Sequence, residues 1–515
     1  MQDMIGDTIK WFSTLYDEAE REFNVEQPDL SNRNPFQRDR DRILSSKAFC
    51  RLDGKAQVFY ADSKDHIRNR LTHSLGVRSL ADNISRKLKL NCDLVEAIAL
   101  GHDLGHTPYG HIGERILNQI MNGCIDLHGV QEYLRPKYMG FKHNWQGYRL
   151  VSELETYSDQ YPGLNLTKQT IWGIVNHTRL DYKECHSNCL IESRCNGSLK
   201  YPPHEKCRKK LFVEFYKEPF ATSRPDVNIP LDNCYWTPEA IVVAVADEID
   251  QRIHDVADAY EVGIISLSDI IYKFRDIFGK HLSSEKKMEA VGDQLVEKAR
   301  NNNTFTFRSG AYHIQATFSR LIADLYIENF IRNYHEKMIS HINKYSIKTS
   351  KEYKKNLKEG NIPFYISDLR SDSFWESDTH FHDYLKSLIL NCHRVQLADG
   401  RASLIIRKIF KALVSNPMQL PDKVLRRYVS TMEGIPYSMT VSVIDDENNA
   451  AKTAYKIRSS LIEKYLRTDD GAPYEKGYSV LMRTICDFIS GMTDQFAESY
   501  YHELYGIKDI KLELK

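Results

Sequence analysis

The stretch from Ile98 to Glu114 constrains this chain more than any other: its seventeen residues hold three histidines, an aspartate, a glutamate and four glycines. Ile98, Ala99 and Leu100 continue the apolar face of a helix that starts near Asp93. Gly101 then lets another backbone approach closely, where His102 and Asp103 emerge. A His-Asp pair at a helix end is a mixed nitrogen and oxygen donor set suited to a divalent metal, but two ligands do not close a site.

The sequence offers a further donor on each side. Upstream, Arg70 opens an amphipathic helix that runs through Leu80 and Ile84 to Leu88, with His73 in its first turn. Downstream, Thr237 and Pro238 read as the N-cap and first position of a helix whose apolar run, Ile241 to Ala246, is interrupted by Asp247. An ionised aspartate in a buried helix needs a partner. Ligation of one metal by His73, His102, Asp103 and Asp247 would supply it. Two further residues, His111 and Glu114, are three apart, so on a helix the carboxylate can orient and charge the imidazole. That pairing suits a general acid.

The order of these donors resembles the HD superfamily of metal-dependent phosphohydrolases. Segments 39–52, 57–59, 70–74, 102–114, 143–147 and 487–494 are together similar to successive landmarks of the deoxynucleoside triphosphate triphosphohydrolases, the dGTPase family. The resemblance implies an all-α fold: an HD-type helical core, a helical C-terminal extension and, in this chain, a Cys-rich insertion. It implies hydrolysis of dGTP, or of dNTPs more broadly, by water attack at the α-phosphorus, giving a deoxynucleoside and tripolyphosphate. His111 becomes the general acid at the leaving 5′ oxygen, with Glu114 behind it. Gln57 and Arg70 match pocket positions for sugar and phosphate, and His106 and His143 match positions facing the triphosphate or lining the catalytic pocket. Gln251 and Asp255, one and two turns past Asp247, match positions near the deoxyribose; the family commonly has Tyr where Gln251 stands, which leaves sugar and base preference open. Mn²⁺, Mg²⁺ or Fe²⁺ fits the donor set.

The resemblance also implies a homo-oligomer, a hexamer before a tetramer or dimer. An allosteric dNTP and single-stranded DNA are further partners known in the family. Two other functions remain open: a different HD phosphohydrolase acting on a nucleoside monophosphate, cyclic dinucleotide or alarmone, and a nucleotide-sensing binding or defence module.

Charge supplies a bound on partners. Lys+Arg and Asp+Glu both total 70, so no bulk positive field advertises nucleic acid. The longest strongly apolar run is too short to span a bilayer and the N-terminus has no basic signal-like region, so the expectation is a cytoplasmic protein without a membrane partner. The ten cysteines then read as mostly reduced thiols. Cys185, Cys189, Cys195 and Cys207 crowd a polar segment, where a structural Zn²⁺, plain thiols and an iron-sulfur cluster are all open readings.

The domain reading places an N-terminal helix and arm at 1–36 and the catalytic core at 37–262, interrupted by the insertion at about 181–236. Residues 263–515 form a helical region that completes the pocket and the oligomer contacts. Helical spacing of apolar residues predicts an amphipathic helix over 4–23 and helices over 312–334, 402–414, 452–466 and 478–504. Thr304 to Phe307 reads as a short strand, 346–360 as a basic linker, and the alternating charges from Arg38 to Arg42 as a solvated, self-paired run.

Overall fold

Thr237 accepts a hydrogen bond from Ala240 N, and Pro238 occupies the first helical position, so the helix Pro238–Glu261 starts where its sequence signals place it. Every residue from Ala240 to Ala246 is buried. A stretch apolar on all sides can only be central, and the helices 70–87, 92–101, 168–176, 308–345 and 373–390 pack against this one. The computed structural model describes residues 13–25, 32–57, 68–121, 125, 127, 140–158, 160–177, 237–282, 308–358, 369–434, 458, 462–467 and 474–506. Among them the regular structure is helical, and strand pairing is confined to isolated bridges such as Ala56 with Asn69. The fold is all-α.

In chain order we label α1 (Pro35–Leu44), α2 (Arg70–Lys87), α3 (Cys92–Gly101), α4 (Gly110–Met121), α5 (His143–Arg149), α6 (Lys168–Asn176), α7 (Pro238–Glu261) and α8 (Leu267–Phe278). The C-terminal half adds α9 (Arg308–Tyr345), α10 (Ser350–Lys358), α11 (Ser373–Leu390), α12 (His393–Ser415), α13 (Asp422–Glu433), α14 (Glu475–Ser490) and α15 (Asp494–Tyr505). One apolar cluster joins α2, α3 and α7 to α8, α9 and α11 through Val77, Ile98, Val245, Phe274 and Phe381. A second joins α4 to α12, α13, α14 and α15 through Ile116, Ile406, Leu425, Ile485 and Ala497. A third, around Ile43, Leu100, Leu150 and Ile174, lies under α1, α3 and α6. The helices that carry or lead into His73, His102 and His111 draw on all three clusters.

Several expectations fail for identifiable reasons. Residues 13–25, the described part of the expected 4–23 helix, form an arm with one 3-10 turn, Tyr16–Glu18. Buried Glu239 holds this arm by accepting from Thr14 N (2.9 Å) and Thr14 Oγ1 (3.0 Å), a tertiary tie that periodicity does not reveal. The basic segment is a helix from Ser350: Thr349 Oγ1 accepts from Glu352 N and Glu352 Oε2 accepts from Thr349 N, a reciprocal cap hidden by the lysine count. The helix expected over 478–504 breaks at Gly491–Thr493, where Thr493 caps α15. The Arg38–Arg42 run pairs within itself at Arg40–Asp41 (2.8 Å), but Asp39 pairs outside it, with Arg21 (2.7 Å). It is not all solvated: Asp39 is fully buried on Thr167 and Thr170, and Arg42 is buried on the carbonyls of Leu164 and Asn165. The proposed strand at 304–307 and the four clustered cysteines lie outside the described residues.

α7 is fixed to the C-terminal half by a buried charge pair. Arg252 donates to both oxygens of Asp378 (2.9 and 3.2 Å), and Tyr326 Oη donates to Asp378 Oδ1 at 2.6 Å. Asp378→Ala leaves the buried guanidinium uncompensated and is expected to cost about 3–5 kcal/mol. Replacing Arg252 and Asp378 together by Met and Leu should cost less. Urea unfolding of the variants checks the order, and equal losses would mean that the pair has no special role in joining the two halves.

Candidate metal and phosphoryl site

His73 lies in the first turn of α2, fully enclosed, with a carboxylate on each side. Its Nδ1–H donates to Asp250 Oδ2 (2.8 Å) and its Nε2–H to Asp247 Oδ1 (2.9 Å). Burial alone would strip its charge, but hydrogen bonds and charges from Asp247 and Asp250 outweigh that and carry its pKa up to about 10. Asp250 Oδ2 also accepts from His254 Nε2 at 3.0 Å. Gly76, one turn along α2, is where the Asp250 carboxylate packs against the helix; a Cβ there would overlap it.

His102 follows α3 directly. Its Nδ1–H donates to Ala99 O (2.6 Å), so in the neutral imidazole the other nitrogen, Nε2, carries the lone pair. That Nε2 is buried without a hydrogen-bond partner, 3.9 Å from Asp247 Oδ1 and 3.6 Å from Asp103 Oδ1. Donor atoms round one divalent ion stand roughly 3–3.5 Å apart when its bonds are about 2.1 Å long. His73, His102 and Asp247 place their ligand atoms within 4.8 Å of one another. An orphaned nitrogen beside two such donors fits a divalent cation. Asp103 joins the set only through His102: its Oδ2 accepts from Arg70 Nη1 (2.8 Å) and its Oδ1 from His106 Nε2 (3.0 Å). Burial acts to raise its pKa, and His106, Arg70 and His102 overcome this to hold it well below the usual carboxylate range.

The acid side is built on α4 and α5. Glu114 Oε2 accepts from His143 Nδ1 at 2.5 Å, Oε1 faces Lys142 Nζ at 3.4 Å, and the carboxylate acts on His111 through its charge. The orienting bond expected for His111 is thus observed on His143. His106 stacks on His143 with ring centres 3.9 Å apart and meets His111 edge-on at 5.6 Å. Gly105 makes this stacking geometry accessible, because its missing side chain leaves room for the α5 backbone at His143 and Gly147. The His111 ring opens to solvent, yet the surrounding protein removes much of its hydration. That loss first, then Arg70, His143 and Lys142, push its pKa down to about 4 against the pull of Glu114.

Arg70 is 1% exposed and has Nε and Nη2 without partners. It comes beside Gln57, whose side-chain oxygen is also unsatisfied: a Cβ on Gly110 would stand 3.1 Å from Arg70 Nη2 and 3.2 Å from Gln57 O. Gln251 is half-buried on α7 and Asp255 buried one turn further on, where burial pushes Asp255 up to about 6 against Arg252 and His73.

Sequence reasoning missed Asp250, His254 and His177. The i+3 and i+7 spacing of Asp250 and His254 from Asp247 was available as a signal. Nothing local marks His177 at the end of α6.

Residues 70–252 match the HD domain model and residues 459–503 the phosphohydrolase-associated domain model. The chain is similar to deoxyguanosinetriphosphate triphosphohydrolase-like proteins of Bartonella quintana (28% identity; 92% of this chain, 90% of the relative) and Rickettsia bellii (28%; 93% of each). Against the protein of that name from Nitrobacter hamburgensis the identity is 30%, over 77% of this chain and 82% of the relative. The chain belongs to this HD-domain family. Membership makes it an HD-type hydrolase, and its His and Asp groups form the kind of set that holds the metal of such domains. No helix among the described residues of this HD protein is long and apolar enough to cross a membrane.

Because His73 carries a proton on Nε2 up to about pH 10, an ion taking that nitrogen must expel it. Mn²⁺ affinity should therefore rise with pH, by up to about tenfold per unit between pH 6 and 8, with release of about one proton. Calorimetry in buffers of different ionisation heat reads the proton number; binding with none released would remove His73 from the donor set.

Proposed function

We propose that this protein hydrolyses deoxynucleoside triphosphates, dGTP or a broader range, to deoxynucleoside and tripolyphosphate. The observation that carries the reading is the junction of two sets of groups: the buried His73, His102 and Asp103 with the half-buried Asp247, and, through Asp103, the buried His106–His143–Glu114 cluster beside His111. A divalent ion bound by the four donors, Mn²⁺, Mg²⁺ or Fe²⁺, supplies Lewis-acid activation of water and phosphate. The names of the relatives point to the same substrate class.

The chain's own residues do the rest. Arg70, buried and with two nitrogens unsatisfied, offers a planar fork to phosphate oxygens. His106 and His143 present their remaining nitrogens, both unsatisfied, to the triphosphate. Gln57, Gln251 and Asp255 face the sugar and base. His111 protonates the departing 5′ oxygen, with Glu114 as the countercharge.

In the free protein His111 is neutral at pH 7. A bound triphosphate offsets the cations that depress it, so the imidazole gains its proton with the substrate. The basic limb of kcat should consequently fall at higher pH than that of kcat/KM, since the first reports the complex and the second the free enzyme. Coincident limbs would remove His111 as a substrate-charged acid.

Product analysis tests the function itself. Chromatography after incubation with each dNTP, singly and mixed, with Mn²⁺ or Mg²⁺, should show deoxynucleoside plus tripolyphosphate. His111→Ala should lower the rate by about 10²–10⁴-fold. Release of monophosphate and pyrophosphate, or no turnover with any mixture, would overturn the reading.

A further inference from the structure

His177 stands between the two halves of the site. It follows the last turn of α6 and is 2% exposed. Its Nδ1–H donates to Ile174 O at 2.7 Å, so Nε2 is left as a lone pair. The ring meets His102 edge-on, 5.1 Å away at 81°, and lies 5.5 Å from His143. Ring contacts thus run His111, His106, His143, His177, His102. His111, at one end of the acid-side array, has His177 at the other, next to the donor His102.

We propose that His177 Nε2 accepts a hydrogen bond from the attacking water and so orients it toward phosphorus; this rests on the hydrolase reading above. Displacement at phosphorus needs the nucleophile and the leaving oxygen on opposite sides. His177 beside the donor His102 and His111 three ring contacts away are an acceptor and an acid separated in the way such a displacement would use. His73, His102, Asp103 and Asp247 would hold the ion, which would supply the charge that activates water and phosphate. The water still requires an acceptor to fix its direction. His73 and His102 have their nitrogens committed to fixed acceptors or to the ion, whereas His177 has a nitrogen to spare.

Two substitutions separate this role from that of a helix end. His177→Asn can keep an amide donor on Ile174 O while removing the distal acceptor; His177→Gln can return an amide oxygen to the distal position. In the full-length protein, H177N should bind Mn²⁺ at wild-type stoichiometry by elemental analysis, keep its thermal midpoint and KM, and lose about 10²-fold in kcat. H177Q should recover at least about tenfold of that loss. An active wild type beside an H177N protein of unchanged kcat overturns the role of His177 alone. Loss of Mn²⁺ from H177N overturns it also, by making His177 a ligand. A wild type that cleaves no dNTP removes the hydrolase reading and this role together.

Discussion

The carboxylate of Asp103 is the interaction on which the site depends. It is buried, and an isolated buried carboxylate would neutralise or unfold its surroundings. Arg70 from α2 takes one oxygen, while His106 from the α3–α4 turn and His102 from the end of α3 approach the other. Each of those three is buried too, so none can be removed without stranding its neighbours. The apolar clusters supply the free energy, and Asp103 fixes the register in which they meet.

The described residues of the C-terminal half contribute to this centre by holding its loops. Asp494, at the start of α15, accepts from Ala56 N (2.8 Å) and Tyr109 N (2.7 Å), which pins the strand-like turn before α2 and the turn before α4. Lys55, buried beside it, donates to Ser490 O (2.9 Å) and to His106 O. Residues 487–494, far along the chain, therefore set where Gln57 and His106 stand. Their sequence resemblance to a family landmark is explained by carbonyls and amides of the pocket loops that need fixed partners.

How much of this was legible in the sequence depends on the range of each interaction. His73, His102, Asp103 and Asp247 stand on helices whose caps and apolar faces are local signals, so their convergence could be anticipated. Pairing between side chains of different helices could not. The bond of Glu114 goes to His143, 29 residues away, rather than to His111 on its own helix, because α5 closes over the carboxylate at Gly105. Asp250 hides among the polar residues of α7, and only the approach of α2 at Gly76 shows that it faces His73. The arm at 13–25 has helical apolar spacing, yet its backbone is held by Glu239 of a distant helix.

The tautomers divide the pocket into two chemistries. On the donor side the Nδ1–H of each imidazole is committed to a fixed acceptor: Asp250 for His73, Ala99 O for His102 and Ile174 O for His177. This turns their Nε2 atoms toward the centre, where that of His73 holds its proton on Asp247 until a cation displaces it. Across the pocket, Glu114 takes the Nδ1–H of His143 and Asp103 the Nε2–H of His106, and the other nitrogens lie unsatisfied. Buried unsatisfied nitrogens of this kind are costly in the free protein and are relieved when a polyanion with its protons and counterion enters. The polar groups that weaken the free fold are therefore the ones arranged to bind, and the three apolar clusters around them provide the surplus stability that makes the arrangement tolerable.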